Sequence, residues 1–225
     1  MLNEFSALNV KETADFTLAG ILAYALILVI LLAVGSPGFQ IFLQNAQIRG
    51  ATESMQSALA LARAEAVRRN APVSLWLVDR LAPACRHDSQ GKSWVVSQDD
   101  PAGRCNRQAA DDTAPRLIQA GQVNPGSTNV SVLATARPGP AEGGGDGGGS
   151  GGSGAPGAAA AAFCITFDSM GRVEAKCGQN TPLARIRFQS AVTPETTRAL
   201  ELRMTPGGAV RLCEPAAIAD AGPTC

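Results

Sequence analysis

A stretch of 19 uncharged and mostly apolar residues, from Phe16 to Val34, constrains this chain more than any other feature of its sequence. As an α-helix the run would measure about 28 Å, close to the roughly 30 Å thickness of a bilayer's hydrocarbon core. It therefore predicts one membrane-spanning helix. A cleavable signal peptide is the alternative, because Ala33, Val34 and Gly35 have the small-x-small pattern that signal peptidase needs. The run is longer than the roughly 7 to 15 apolar residues of a usual signal peptide, which favours the anchor.

The six cysteines indicate on which side of the membrane the rest of the chain folds. All of them follow the uncharged run, in a polar region with a single histidine, His87. This pattern favours disulfides, and hence an oxidising compartment, over a metal site. We expect one pass through the inner membrane, with residues 1–15 in the cytoplasm and a periplasmic head. The 19 basic and 19 acidic residues balance, so net charge gives no general attraction to nucleic acid.

A second helical segment is predicted after Pro37, which is expected to kink the helix. No proline occurs between Phe39 and Asn70, and Pro72 then disfavours helix at the residue before it. Apolar residues recur in it at steps of three and four, at Met55, Leu59, Ala62 and Ala66. This spacing predicts one narrow apolar face on the helix.

Downstream of residue 70 the pattern changes to short strands separated by turns. Four candidate strands are rich in β-branched and aromatic residues, at 72–79, 92–98, 116–120 and 129–134. A hairpin is expected over 163–177, turning at Gly171, and another over 199–213, turning at Pro206 and Gly207. In the first hairpin alternation predicts one apolar face, formed by Phe163, Ile165, Phe167, Val173 and Ala175.

These elements predict an α+β protein in which one long N-terminal helix packs on an antiparallel β-sheet head. The expected divisions are a leader-like segment (1–15), a transmembrane half-helix (16–37), an amphipathic half-helix (38–70) and the head (71–225). Within the head, residues 138–162 are expected to form a flexible insertion, because this stretch is dominated by glycine and alanine.

Catalytic, cofactor and metal sites are not predicted. His87 lies in a polar loop sequence and is expected to be exposed, so no triad or metal pair can be built on it. The adjacent carboxylates Asp99 and Asp100, and likewise Asp111 and Asp112, are expected to be solvated turn residues. We therefore expect neither an enzyme nor a small-molecule substrate.

The start of the chain resembles the N-terminus of type IV pilins and pseudopilins. Phe16, Thr17 and Leu18 precede the apolar span, and Pro37 follows Phe16 by 21 residues. "LALARAEAVRRNAPVSL" (59–75) resembles the helix-to-first-strand segment of the GspH/FimT family, with the FimT branch nearest. "CITFDSMGRV" and "GGAVRLCEP" resemble that family's late strands and terminal cysteine loop.

The resemblance implies a non-enzymatic minor pilin of a type IV pilus, whose helix packs among other pilin helices while its head primes or caps the filament. A GspH-like pseudopilin of type II secretion is the alternative, as is a periplasmic binding module released from a signal peptide. Members of the family usually have glycine before the phenylalanine and glutamate four residues after it. Asp15 and Gly20 occupy those positions here.

Six cysteines can pair in fifteen ways. Pairing of neighbours, which closes short loops, is preferred: Cys85 with Cys105, Cys164 with Cys177, and Cys213 with Cys225. The expected hairpin register places Cys164 and Cys177 on opposite faces, so either the turn shifts by one residue or this pair is wrong. The third pair resembles the family's terminal loop.

Weak, non-specific DNA binding is also implied by the resemblance. Some FimT relatives bind DNA through a glycine-arginine-x-arginine stretch, which here reads Gly208, Ala209, Val210 and Arg211. One arginine is missing, so Arg211, Arg203 and Arg198 are weaker candidates, and solvent-facing strand arginines are the competing interpretation.

Because Asp15 replaces the glycine before the cleavage position, we predict that prepilin peptidase leaves the chain uncut and Phe16 unmethylated. Intact-mass measurement should then include the fifteen-residue leader. A mature N-terminus at Phe16 would contradict the prediction, and a start at Ser36 would support the signal-peptide alternative.

Overall fold

The computed structural model describes residues 18–110, 112–123, 129–136 and 160–215, apart from the side chains of residues 18, 19 and 33–37. Two compact units divide the chain, one ending at Gln40 and the other beginning at Ile41. The leader-like segment, most of the glycine-rich insertion, Asp111 and Cys225 lie outside the described residues.

One helix, α1, runs from Leu18 to Arg69. Its predicted apolar face is confirmed, because Met55, Leu59, Ala62 and Ala66 are all completely buried. The helix ends where the sequence predicts. Asn70 has a positive φ of 49°, and the Ala71 amide donates to the Ala66 carbonyl, as in a Schellman cap. Over the part of the chain that the structure describes, no helix is apolar over a sufficient length to cross a membrane.

Two antiparallel four-stranded sheets follow the helix, where the sequence predicted one. The first has the order β3-β2-β1-β5 and the second β4-β6-β7-β8. The strand bounds in chain order are Val73–Val78, Ser93–Ser97, Leu117–Gln122, Val130–Ala136, Cys164–Phe167, Leu183–Ser190, Leu200–Met204 and Val210–Cys213.

The main core lies between the second half of α1 and the inner faces of both sheets. Each sheet contributes large apolar side chains, including Leu75, Ile165 and Phe167 from the first, and Ile186, Phe188 and Leu202 from the second. Trp94 packs over Gly121, its register partner on β3. A Cβ at Gly121 would lie 2.5 Å from the indole ring, so only glycine leaves room for it.

A second, smaller core covers the outer face of the first sheet. It contains Trp76, Val78, Val95 and Leu117 together with the disulfides Cys85–Cys105 and Cys164–Cys177. Both disulfides have the preferred neighbour pairing. Cys213 is disulfide-bonded as well, and its predicted partner Cys225 lies outside the described residues. Because cores lie on both sides, β1 and β2 are buried along their whole length.

The predicted hairpin over 163–177 forms only around its turn, where Phe167 bridges Val173, the Asp168 amide donates to the Arg172 carbonyl and the Glu174 amide donates to the Thr166 carbonyl. The Val173 amide, which points away from β5, donates to the Pro206 carbonyl in the β7–β8 turn, and within residues 160–215 the pairing with β5 does not continue beyond Glu174. Ala175 is consequently exposed rather than part of an apolar face. The chain then turns at Cys177, which reaches Cys164 from outside the sheet, so the predicted conflict of faces does not arise.

Two further expectations need correction. Strand β6, which the sequence analysis did not predict, lies between β4 and β7 in the second sheet. The predicted insertion also ends earlier than residue 162. Ala161 bridges Thr135, and the Ala162 amide donates to the Ala134 carbonyl, so these residues belong to the folded head.

The second predicted hairpin, β7 with β8, is present in the predicted register, with Leu202 opposite Leu212. Leu212 is nevertheless 45% exposed, because β8 is the edge strand of its sheet. The turn of this hairpin is held by α1. Arg63 donates through Nε to the Gly171 carbonyl at 2.9 Å and through Nη2 to the Gly207 carbonyl at 3.4 Å.

Among the glycines of this junction, Gly208 should tolerate substitution least well. It has a φ of 79°, and an added Cβ would lie 1.9 Å from the Gly171 carbonyl oxygen. Gly208→Ala is expected to destabilise the head by more than about 2 kcal/mol and to lower Tm by about 5 °C or more. Thermal unfolding of the purified full chain followed by circular dichroism measures this change.

The neighbouring Gly207→Ala is the matched control, because its Cβ would meet only the Thr205 hydroxyl at 4.0 Å. We expect a change in Tm several times smaller than for Gly208→Ala. Equal effects of the two substitutions would show that the close approach to Gly171 does not matter.

Candidate functional site

The N-terminal part of α1 presents apolar side chains on all sides. The seven consecutive residues Leu26 to Leu32 are each between 42% and 67% exposed. Seven residues make almost two helical turns, so these exposed side chains surround the helix. A helix that is apolar all round is normally buried against other apolar surfaces, which makes this segment a candidate assembly surface.

The predicted processing positions are only partly within the described residues. Gly20 lies in α1, whereas Asp15 and Phe16 lie outside the structure's described part. Pro37 lies inside α1 and does not end it. The absence of cleavage after Asp15 and a kink at Pro37 stay predictions.

A row of arginines crosses the outer face of the second sheet. Arg185, Arg203 and Arg211 are register partners on β6, β7 and β8, so they lie on one face. Arg187 lies two residues along β6 and shares that face. We call these four residues the arginine face.

Three members of the arginine face have no internal partner. Arg185, Arg187 and Arg211 are exposed, and their side chains make no hydrogen bond or ion pair to any residue that the structure describes. Only Arg203 is paired, through Nε to the Glu201 carboxylate at 2.5 Å. One carboxylate therefore faces four guanidinium groups, which leaves this surface positively charged.

Sequence reasoning identified only half of this surface. It named Arg203 and Arg211 but missed Arg185 and Arg187, because β6 itself was not predicted. The signal was present in "RIRF", where arginines alternate with apolar residues. Arg198, the third candidate, lies apart from the row. Its Nη1 is 3.9 Å from the Glu214 carboxylate, and its backbone amide donates to Asn45 on α1.

His87 is not the exposed loop residue that the sequence predicted. Its ring is stacked between Trp76 and Phe163, with centroid distances of 4.9 and 4.6 Å. Nε2 lies 2.8 Å from the Asp100 carboxylate. A backbone bridge between His87 and Val78 fixes the loop against β1, which brings the ring onto the outer face of the first sheet.

Asp99 also has a specific partner, contrary to the prediction of a solvated turn. Arg116 donates to its carboxylate through Nε at 2.9 Å and Nη2 at 2.8 Å, and its backbone amide donates at 3.0 Å. These hydrogen bonds lower the pKa of Asp99 to about 2, with the Arg116 side chain contributing most and its backbone amide next. The pair therefore stabilises the fold at neutral pH, and this contribution is lost as the pH falls toward 2.

Within the described ranges, no group of three or more His, Cys, Asp or Glu side chains is placed to hold a metal ion. Asp112 accepts a hydrogen bond from the neighbouring Thr113 hydroxyl, and Asp111 lies outside those ranges.

Comparison with known protein families gives one match, to the family described as type II transport protein GspH, over residues 51–208. The match covers more than two thirds of the chain. It begins after the uncharged run and ends before Arg211. Searches of curated proteins and of solved structures gave no significant match.

Proposed function

Because this chain belongs to the GspH family of type II transport proteins, we propose that it is a non-enzymatic minor subunit of a pilus-like filament. Its N-terminal helix packs among the helices of other subunits, and its head primes or caps the assembly. The observation that carries this proposal is the apolar surface on all sides of the first part of α1.

The exposed surface gives the helix a strong tendency to associate. Fully burying one leucine, isoleucine or valine side chain contributes about 1.5 to 3 kcal/mol. Leu26 to Leu32 alone provide seven such side chains, none of which is buried in the chain itself. Bundled helices of neighbouring subunits, or lipid before assembly, would bury them.

The same segment is the proposed membrane anchor. The uncharged run Phe16 to Val34 would cross the inner membrane once, with the N-terminus in the cytoplasm and the head in the periplasm. The disulfides Cys85–Cys105 and Cys164–Cys177 support an oxidising compartment for the head. Gly20 in place of the usual glutamate removes a charged group from the anchor, which favours insertion.

Both a type IV pilus and a type II secretion system would use a subunit of this kind. The resemblance to FimT favours the pilus, and the family description favours secretion. Detection of the protein in sheared pili would assign it to the pilus, whereas loss of secretion in a deletion strain with normal pili would assign it to type II secretion.

Val29→Asp tests the role of the helix. A carboxylate at the centre of the helix costs about 2.5 to 3.5 kcal/mol on insertion scales, and no partner cation lies on this part of α1. We expect the variant to be lost from the membrane fraction and from sheared filaments of the native host. Cell fractionation and immunoblotting measure both effects.

Val192→Asp is the matched control, because Val192 is 62% exposed, as Val29 is, but lies in a loop of the head. It should fractionate and assemble like the unmodified chain. Retention of Val29→Asp in membranes and filaments at the control level would refute the assembly role of the helix.

A second candidate function is weak DNA binding, and the arginine face is the observation that favours it. Three unpaired guanidinium groups on one face can contact phosphates of the same DNA duplex, because arginine side chains are common donors to phosphate oxygens. Ala209, in the position of the missing arginine, lies two residues before Arg211 and shares its face.

Variants of the arginine face test DNA binding by the purified full chain at low salt. Arg211→Ala and Arg185→Ala should each weaken binding to a DNA duplex and reduce the salt slope by about 0.9, the value for one lost phosphate contact. Ala209→Arg should strengthen binding and steepen the slope. Fluorescence anisotropy over a salt series measures these changes.

Arg68→Ala is the control, because Arg68 is on α1 and bonded to Glu65 at 2.6 Å. It should leave binding unchanged. Tight binding at high salt, or binding that survives Arg211→Ala and Arg185→Ala together, would exclude the arginine face as the DNA site.

A further inference from the structure

The two edges of the second sheet differ in how they are covered. Strand β4 is covered by the chain itself, because the Ala136 amide donates to the Ala160 carbonyl and the Ala162 amide donates to the Ala134 carbonyl. Strand β8, at the other edge, has no such backbone partner along residues 210–212 within the described chain. An uncovered strand edge is a template to which another extended chain can pair.

The outward hydrogen-bonding groups of β8 belong to Val210 and Leu212. In the turn, the Thr205 amide donates to the Ala209 carbonyl, so these two residues form a hydrogen-bonded pair at the start of the β7–β8 ladder. Hydrogen-bonded pairs alternate along an antiparallel ladder, and the next one contains Arg211. Val210 and Leu212 therefore direct their N–H and C=O groups away from β7, toward the free edge.

An apolar groove of about 630 Å³ lies between β8 and α1. Val67 on the helix is 52% exposed, and Leu212, on the same face of β8 as Val210, is 45% exposed. Both elements contribute to the apolar lining of the groove, which comprises Leu59, Ala60, Ala64, Val67 and Val210.

Arg63 holds the two sides of this groove in place. It belongs to α1, and its bonds to the Gly171 and Gly207 carbonyls connect the helix to the β7–β8 turn. A groove that is fixed before binding loses less conformational entropy when it is filled.

The two faces of β8 define the side chains of a strand that pairs with it. Side chains that lie on the same face as Val210 and Leu212 would enter the groove, so they must be apolar. The alternate side chains would lie beside Arg211, whose guanidinium group is exposed and has no partner in the described chain. The groove lining adds Arg63 and Arg68 and contains no carboxylate, so the alternate side chains are best acidic.

A second copy of this chain fits the edge poorly. If two β8 strands paired antiparallel with Val210 opposite Leu212 of the copy, the two Arg211 side chains would lie directly opposite each other. Like charges in that position are destabilising. Charge therefore favours a different, acidic partner.

We propose that β8 binds an extended segment of a partner protein by strand addition, and that this segment alternates apolar and acidic residues. The backbone of the segment bonds to Val210 and Leu212, its apolar side chains fill the groove against α1, and its carboxylates face Arg211. The inference concerns a different surface from the helix contacts of the proposed filament and does not depend on them. It shares Arg211 with the candidate DNA surface, whereas Val67 belongs to the groove alone.

Fluorescence anisotropy of the full chain in detergent tests the proposal with a labelled, capped peptide, Val-Glu-Val-Glu-Val-Glu-Val. It should bind saturably at physiological salt with a Kd below about 100 µM. The shuffled peptide Val-Val-Glu-Glu-Glu-Val-Val has the same composition and charge but cannot separate the two kinds of side chain onto two faces. It should bind about tenfold more weakly or not at all.

Backbone methylation of the peptide tests strand addition directly. The N–H groups of the valines lie along one edge of an extended peptide and those of the glutamates along the other. N-methylation of all valines, or of all glutamates, therefore blocks one edge only. One of the two methylated peptides should lose binding about tenfold or more, and the other should bind like the parent. This test needs no change to the protein, so it does not depend on the stability of any variant.

Two substitutions locate the site on the protein. Val67→Asp places a carboxylate in the groove and should weaken binding of the alternating peptide about tenfold, because the peptide would bury that charge without a partner. Arg211→Ala should weaken it about two- to fivefold, the range of an exposed ion pair. Val192→Asp is the control, since Val192 is exposed in a loop of the head, and it should bind the peptide like the unmodified chain.

The proposal is overturned if the alternating and shuffled peptides bind equally, which would leave only charge attraction to the arginine face. Equal effects of the two methylations, or equal losses in Val67→Asp and Val192→Asp, would also overturn it. A dimer of the full chain that Val67→Asp disperses and Val192→Asp does not, without binding of either peptide, would make a second copy the occupant instead.

Discussion

The close packing of α1 against two sheets is the contact on which the rest of the head depends. The helix residues in this contact are mostly small. Two larger ones, Met55 and Leu59, accompany four alanines, Ala51, Ala58, Ala62 and Ala66. Small helix side chains leave room in this core for the large apolar side chains that both sheets contribute. Because both sheets share one helix face, a change in that face would affect both at once.

Burial of both faces of the first sheet follows from this arrangement. Its inner face is used by α1, so its outer face needs a separate cover, and a loop-rich segment closed by two disulfides provides it. A light core with few aromatic residues gains stability from such loop closures. The same cover places the His87 ring against Trp76 on the outer face of the sheet.

The sequence predicted those parts of the fold that depend on local periodicity. The helix face at Met55 and Leu59 and the β7–β8 hairpin agree with the structure. Strand β6 was missed because Ala184 forms a bulge opposite Thr135 and Ala136, which puts the buried Leu183 and Ile186 three residues apart and breaks the period of two. The hairpin at 163–177 forms only near its turn, because the returning chain turns at Cys177 to close the disulfide with Cys164 and does not continue along β5.

Candidate sites were harder to predict than elements, because each depends on residues that only tertiary structure brings together. Arg185 and Arg211 are separated by 26 positions in the sequence but lie in one row across the sheet, since each pairs with Arg203. Gly208 shows how such a surface is tied to the core. It begins the stretch that resembles a DNA-binding motif, yet its lack of a side chain is required for contact with Gly171 and α1. The glycine thus fixes the turn that positions β8, whereas the exposed side chains of Arg185, Arg187 and Arg211 lie outside that contact.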